Sequence, residues 1–415
     1  MERRWTCTMK LTPLERSWAL YDVGNSAFVL MVSTIMPIYF KNLTSAAGVA
    51  DYNSTAWWSY AVAISTLLAA LLGPTLGNLA DKRGWKRGLY ALFVVGGAIT
   101  CALLGFSPTW LIFLAVFVVA KVFFSTSLVF YDSMLPDVTT AERVDMVSST
   151  GYAWGYLGSC IPFVACLVLV LTAEQTGIGT MRAIILAFLI TAVWWAVLSV
   201  PLYGRYRQTH RNTGELAGMR ELGQVVREII QHKKIRLYLL AYFFYIDGVF
   251  TIIEMATSYG KDVGIGDTDL VLALLLTQVV AFPFAILFGR LAGKFATESL
   301  LQICIAGYFF IAVFALQLDK AWEFWFLAVC VAVFQGAIQA LSRSYFARII
   351  PAEKSGAYFG FYDIFGKGAS FFGAVVLGVA TQIFSTSRAG VVALALLFPL
   401  GLWLLRKSMK IPVKM

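Results

Sequence analysis

The sequence has very little histidine and no ordered pattern of cysteine. Histidine occurs only at His210 and His232, both in the polar middle of the chain. Five of the six cysteines fall inside apolar segments, and none has the spacing of a zinc site or of a disulfide framework. These absences argue against a metal centre and against an intramembrane histidine proton relay. We therefore expect neither a metal nor another cofactor.

Charge is also scarce. Only 13% of the 415 residues are charged, whereas 59% are hydrophobic and 15% are aromatic. This composition leaves no room for a large soluble domain and is typical of a protein that crosses a membrane many times. The net charge of +10 would suggest nucleic-acid binding in a soluble chain, but here it follows topology, so we predict no nucleic-acid partner. No nucleophile and base pair is visible, and we predict that the protein is not an enzyme.

Apolar runs long enough to cross a hydrocarbon core of about 30 Å occur twelve times. The predicted spans are 17–40, 57–80, 88–106, 110–135, 148–171, 181–203, 237–259, 268–290, 299–317, 322–347, 356–384 and 389–405. With both termini inside, the tails and cytoplasmic loops hold 25 of the 33 Lys and Arg residues and the outer loops hold five. Because positive charge stays in short cytoplasmic loops, we predict a multi-pass protein of the cytoplasmic (inner) membrane with both termini cytoplasmic.

The longest polar segment divides the spans six and six, and it carries apolar residues at helical spacing. We favour a surface-lying amphipathic linker helix, with a regulatory or partner-binding role for its basic face as the alternative. The predicted units are a cytoplasmic tail 1–16, a six-helix bundle 17–203, a linker 204–236, a six-helix bundle 237–405 and a cytoplasmic tail 406–415. Weak repetition between the halves, Gly77-Asn-Leu-Ala-Asp-Lys against Gly289-Arg-Leu-Ala-Gly-Lys, predicts pseudo-twofold symmetry and a solute site between the bundles.

Ionisable residues inside the spans indicate where a solute would bind, because each is unfavourable there by roughly 2.5 to 3.5 kcal/mol and usually faces a cavity or a partner. Polar stripes run along the first and tenth spans, and a lysine stands mid-span in the fourth. The predicted substrate-binding residues are Asp22, Asn25, Lys121, Gln335, Gln339 and Arg343. We also expect that Gly24 permits a local break in the first helix. The structural alternative is that Asp22 and Asn25 bond neighbouring helices and that Arg343 anchors its helix against Asp363 or Asp132.

Acids in the second half are candidates for ion coupling. Asp247 and Glu254 share one face of the seventh span, so two close carboxylates there could share a proton or hold a cation. Asp363 and Lys367 lie four residues apart in the eleventh span and can form an internal pair. We predict proton coupling through Asp247, Glu254, Asp363 and Lys367, with sodium as the alternative ion. Permanently paired, structural roles are the competing interpretation.

A short basic loop joins the second and third spans. Its candidate latch residues are Gly77, Asp81, Arg83, Gly84, Lys86 and Arg87. Gly77 lets helices approach closely, Gly84 supplies a turn residue, and Asp81 can pair with the bases or sit at a helix N-terminus. The alternative is a loop that only fixes topology. The sequence Gly-Asn-Leu-Ala-Asp-Lys-Arg-Gly-Trp-Lys-Arg resembles the corresponding loop of the major facilitator superfamily. That resemblance implies a twelve-helix secondary transporter in which Asp81 stabilises one alternating conformation.

Five further motifs resemble one branch of that superfamily, the vacuole effluxer-like family. They are Trp18–Ala27, Gly155–Gly158, Tyr245–Gly248, Gln339–Tyr345 and Phe359–Lys367. Two departures from the family pattern are Gly24 and Ile246, the second of which weakens the case for an ion site at Asp247. The family implies amino-acid export in its fungal member.

We therefore predict an all-α integral membrane protein with the major facilitator fold. Its predicted function is proton-coupled, alternating-access transport of a small polar or zwitterionic solute, such as an amino acid or short peptide, by a monomer in the lipid bilayer. The alternatives are export of amphipathic compounds such as drugs or lipids, and a non-transporting membrane receptor or scaffold.

Overall fold

A computed structural model describes residues 10–82, 84–213, 219–262, 266–318, 320–384 and 387–412. The regular secondary structure of these described residues is helical. Eleven segments are long and apolar enough to cross a membrane, and the 30-residue helix Ser355–Phe384 supplies the twelfth span. The spans comprise the helices Pro13–Ser33 with Ile35–Ala46, Asp51–Asp81, Trp85–Leu104, Trp110–Ser133, Val144–Leu171, Thr180–Arg205, Lys233–Asp262, Asp267–Leu291, Thr297–Ala315, Ala321–Ile349, Ser355–Phe384, and Ser387–Ala395 with Leu397–Met409. The predicted twelve-helix fold is confirmed.

The first span shows how local sequence sets a helix boundary. Thr12 and Glu15 form a capping box: the Thr12 hydroxyl accepts from the Glu15 N–H at 3.2 Å, and the Glu15 carboxylate accepts from the Thr12 N–H at 2.7 Å. The predicted break at Gly24 is wrong, because the helix continues through it and is interrupted at Thr34. A Cβ on Gly24 would lie 3.2 Å from the Trp195 carbonyl oxygen, so this glycine permits close packing on the sixth span.

Each set of six spans has its own apolar core. The first half buries large aromatic side chains such as Trp18, Tyr90 and Trp195, and the second half buries Tyr238 and Tyr308 in the same way. The halves meet where the second span packs on the eleventh and where the fifth packs on the eighth and tenth. We call the end of the bundle at which the first span begins and the twelfth ends the terminal end. The loops between spans two and three, four and five, and ten and eleven lie at the same end.

The linker contains the predicted helix, at Met219–Gln231, and the seventh span begins at Lys233 rather than at residue 237. Val225 and Ile229 are buried against the core of the second half, whereas Ile230, another of the apolar residues at helical spacing, is 54% exposed. The apolar stripe therefore holds the helix on the protein through a narrower face than predicted.

Two acids on the linker helix contact opposite halves. Glu221 pairs with Lys82 at 2.8 Å and accepts from the Asn78 amide at 3.1 Å, both on the first half. Two turns later, Glu228 pairs with Lys354 of the second half at 2.6 Å. The linker helix is thus bound across the junction of the two halves.

Candidate functional site

The second and eleventh spans touch backbone to backbone at the terminal end. A Cβ on Gly77 would lie 2.1 Å from the Gly356 carbonyl oxygen, and one on Gly360 would lie 2.5 Å from the Pro74 backbone. No side chain larger than hydrogen fits at Gly77 without moving one helix. The predicted close approach at Gly77 is confirmed, and its partner helix belongs to the other half.

Asp81 is completely buried beside this contact. Its two carboxylate oxygens accept from the backbone N–H groups of Gly356 at 2.8 Å and Ala357 at 3.0 Å, and Lys86 Nζ lies 3.1 Å from Oδ1. The eleventh span begins at Ser355, so the carboxylate sits at a helix N-terminus, where the helix dipole favours negative charge. The two partners that the sequence offered as alternatives, a base and a helix terminus, are both present.

The remaining latch residues have separate surroundings. Gly84 has a positive φ of 79° and directly precedes the third span, as a turn glycine should. The Arg87 guanidinium lies over the Tyr203 ring at 4.2 Å. Lys86 Nζ also donates to Ser355 of the second half at 2.9 Å. Arg83 lies outside the described residues.

Arg343 of the tenth span crosses into the first half and is almost completely buried. Its guanidinium donates to Asp132 at 3.0 Å, to Asp22 at 3.3 Å, and to the hydroxyl and carbonyl oxygens of Ser148 at 3.0 and 3.1 Å. Two carboxylates therefore face one cation. Of the two anchoring partners expected for Arg343, Asp132 is correct and Asp363 is wrong, because Lys367 pairs with Asp363 one turn along its own helix.

Aromatic rings complete the surroundings of Arg343. The guanidinium carbon lies 4.5 Å from the centre of the Trp18 ring, 4.4 Å from that of Tyr152 and 5.4 Å from that of Tyr131. Tyr131 stacks on Trp18 and donates its hydroxyl to Asp22 at 2.7 Å. These side chains all belong to the first half. We call the group Trp18, Asp22, Tyr131, Asp132 and Tyr152 the cage.

A third charged contact between the halves was missed by the sequence interpretation. Asp145 in the first turn of the fifth span pairs with Arg348 and accepts from Ser344 at 2.5 Å and Thr297 at 2.7 Å. The predicted fifth span began at residue 148, which placed Asp145 in a loop. The sequence did contain a signal for this contact, since an acid, Asp145, and a base, Arg348, lie at the ends of two spans.

The other predicted solute-binding residues do not belong to the cage. Asn25 contacts Asp22 at 3.5 Å, and Gln339 donates to the Tyr156 hydroxyl at 3.2 Å. Gln335 is buried one turn beyond Gln339. Lys121 precedes Tyr131 by ten residues on the fourth span, about 15 Å along a helix, which places it well away from the cage.

The predicted coupling residues lie within the second half. Asp247 is buried and accepts from the Gly373 N–H at 2.8 Å and from Thr251 at 3.5 Å, which links the seventh and eleventh spans. Asp363 and Lys367 form the ion pair that their spacing predicts. The side chain of Glu254 lies outside the described residues.

The linker is fixed to the first half through Asp137, which lies in the short helix Leu135–Val138 directly after the fourth span. This carboxylate accepts from the hydroxyls of Tyr206 at 2.5 Å and Thr209 at 2.6 Å, and His210 Nδ1 lies 2.7 Å away. Burial raises the pKa of Asp137, but Lys86 and the hydrogen bonds outweigh it, so the pKa lies below its ordinary value of 3.8. The linker contact therefore favours the ionised acid.

We expect acid to weaken this contact. A carboxylate whose pKa is depressed by folding stabilises the protein above its unfolded pKa, and that contribution is lost as the pH falls through the folded value. As the pH falls below about 4, wild type should lose more thermal stability than Asp137→Asn. Thermal unfolding of the purified protein at a series of pH values measures this difference. The exposed Glu353→Gln serves as the control, and parallel pH profiles for wild type and Asp137→Asn would contradict the assignment.

Two six-helix halves joined through charged contacts at one end form the fold of the major facilitator class. Solved structures share this fold. The human organic anion transporter MFSD10 (TETRAN) superposes with a TM-score of 0.75 at 14% identity, covering 95% of this chain and 99% of that one. The proton:xylose symporter XylE superposes with a TM-score of 0.72 at 12% identity, covering 95% and 94%.

The chain belongs to the vacuole effluxer Atg22-like family, whose model matches residues 14–143 and 137–410. The MFS-type transporter YxiO of Bacillus subtilis (strain 168) is 41% identical over 405 residues, 95% of each chain. Autophagy-related protein 22-1 of Aspergillus niger is 27% identical over 295 residues, which is 62% of this chain and 46% of the fungal protein. The match thus spans about half the length of the fungal relative. These relatives support a transporter rather than an enzyme.

Proposed function

We propose that the protein carries a small polar or zwitterionic solute, such as an amino acid or short peptide, across the cytoplasmic membrane by alternating access. The observation that carries this proposal is the buried contact of Arg343 with Asp22 and Asp132 across the two halves. When the halves part, a guanidinium and two carboxylates face each other across the opening. That arrangement is complementary to the carboxylate and ammonium groups of a zwitterion. Burial of these charges within the membrane spans is unfavourable, and a scaffold that moves no solute would have no use for them.

The orientation follows from charge. We place the terminal end in the cytoplasm because 25 of the 33 Lys and Arg residues lie in its loops and tails. The contacts of Asp81, Arg343 and Arg348 between halves cluster at this end. In this orientation they close the protein to the cytoplasm, and Asp81 acts as a latch on that closed state.

We assign proton coupling to the acids of the second half. Asp247 is buried in the seventh span and accepts a hydrogen bond from the backbone of the eleventh span. The first turn of that same span binds Asp81. A change in the protonation of Asp247 would therefore alter the packing of a helix that moves during opening. Glu254 and the Asp363–Lys367 pair are the further candidates.

Transport by the purified protein in proteoliposomes tests the function. We expect pooled amino acids and peptides to accumulate under an imposed proton gradient and not under a sodium gradient. Accumulation driven by sodium alone would change the coupling ion. Flux of lipophilic compounds with no flux of amino acids or peptides would favour the amphipathic exporter, and no flux of any kind by folded protein would favour the scaffold.

Asp247→Asn tests the coupling. We expect it to reduce gradient-driven accumulation at least about tenfold, because the carboxamide cannot carry the proton, while solute exchange without a gradient continues. The exposed Glu174→Gln is the matched control and should behave as wild type. Unchanged pH dependence of transport in Asp247→Asn would remove this residue from the coupling mechanism.

A further inference from the structure

We propose that the cage is a solute site selective for cationic head groups, guanidinium or ammonium, and that Arg343 is a built-in competitor for it. This inference rests on the proposed transport function and narrows its substrate class. Arg343 would occupy the cage when the terminal end is closed and leave it when that end opens. A solute such as a basic amino acid or polyamine then takes its place.

The cage stays together when Arg343 leaves because its walls all belong to one half. Trp18 and Asp22 lie on the first span, Tyr131 and Asp132 on the fourth, and Tyr152 on the fifth. Tyr131 stacks on Trp18 at 4.3 Å and bonds to Asp22, so the rings and one acid are fixed by each other. Arg343 comes from the opposite half and moves away as the halves separate.

The chemistry of the cage demands a cation. Removal of Arg343 would leave Asp22 and Asp132 in a largely apolar pocket, and two unpaired carboxylates there are strongly unfavourable. Three aromatic faces next to these acids attract a guanidinium or ammonium through their π electrons. A cationic solute would restore both interactions, whereas a neutral solute would restore neither.

Arg343 itself supplies the binding geometry for a guanidinium. Its nitrogen atoms donate to Asp22, to Asp132 and to both oxygens of Ser148, so an acceptor faces each edge of the planar group. The neighbouring contact between the halves is simpler. Arg348 pairs with Asp145 near the surface, and its side chain is 28% exposed. An ion pair that holds the halves together therefore does not require a buried aromatic cage.

Equilibrium binding of L-arginine and L-citrulline to the purified full-length protein tests the proposal, since citrulline replaces the guanidinium by a neutral group of the same shape. We expect arginine to bind at least about tenfold more tightly than citrulline. Arg343→Ala should widen the ratio of arginine affinity to citrulline affinity, because it removes the competitor for the guanidinium, whereas any contact of Arg343 with the α-carboxylate is lost equally for both ligands. Adding Asp132→Asn to Arg343→Ala should bring the ratio of arginine affinity to citrulline affinity back towards one.

Arg348→Ala is the matched control because it breaks a contact between halves but leaves Arg343 in the cage. It should leave the arginine-to-citrulline ratio unchanged within about twofold. Arg343→Gln provides a second cage variant if Arg343→Ala does not fold, as judged by size-exclusion chromatography and thermal unfolding. Equal binding of arginine and citrulline by either Arg343 variant would overturn the proposal. If neutral amino acids are transported and arginine does not bind, the cage is only a lock and the proposed transport function stands.

Discussion

Replacement of Arg343 by alanine is expected to lower the free energy of unfolding by about 3 to 5 kcal/mol and to open the terminal end. The reason is that Arg343 is almost fully buried and balances Asp22 and Asp132, which would be left facing each other without a cation. Spin labels on Thr140→Cys and Glu353→Cys, exposed positions on opposite halves at that end, would report longer distances in Arg343→Ala. Chemical unfolding in detergent measures the loss of stability.

Two further variants distinguish the contribution of the Arg343 charge to stability from that of its planar set of donors. Arg343→Lys keeps the charge but loses the planar set of donors, so its loss of stability should be intermediate. Adding Asp22→Asn and Asp132→Asn to Arg343→Ala should recover part of the loss, because the unpaired charges disappear. If the triple variant were as unstable as the sum of its single substitutions, pairing across the halves would not be the source of the effect.

Gly77→Ala is expected to prevent closure of the terminal end. The added methyl group would lie 2.1 Å from the Gly356 carbonyl oxygen, on a backbone that cannot yield without moving the eleventh span. Overpacking of this kind is unfavourable by about 1 to 3 kcal/mol, which shifts the ratio of closed to open molecules by about fivefold to somewhat more than a hundredfold. The same pair of spin labels measures that ratio, and transport should fall with it.

Gly88→Ala is the matched control for this substitution. It adds the same methyl group a short distance along the chain, at a position where the new Cβ meets no atom within 4 Å apart from its chain neighbours and the backbone of its own helix. We expect wild-type distances and transport. A closed population in Gly77→Ala equal to that of Gly88→Ala would mean that the second and eleventh spans can separate there without opening the protein.

The fold was predictable because its determinants are local. Apolar runs of sufficient length, interrupted by basic loops, define the spans, and the loop around Asp81 carries its own partner in Lys86 five residues on. The pairing of Asp363 with Lys367 was predictable for the same reason. Spacing along one helix is enough to bring such groups together.

The cage was not predictable because its parts come from different helices. Arg343 and Asp22 are separated by 321 positions in the chain, and only the packing of the two halves brings them together. In the sequence, nothing distinguishes Trp18 and Tyr152 from the many other aromatic residues of the spans. Only the structure shows that both rings contact the Arg343 guanidinium. Gly24 failed as a predicted break for a related reason, since its role is set by the neighbouring sixth span.

The linker helix adds a kinetic consequence. Glu221 contacts the first half and Glu228 the second, on a rigid helix with about 10 Å between them along its axis. The halves cannot separate beneath it unless one of these contacts breaks, whatever solute is bound. We therefore expect the linker to contribute to the activation barrier of opening, independently of the affinity for the solute.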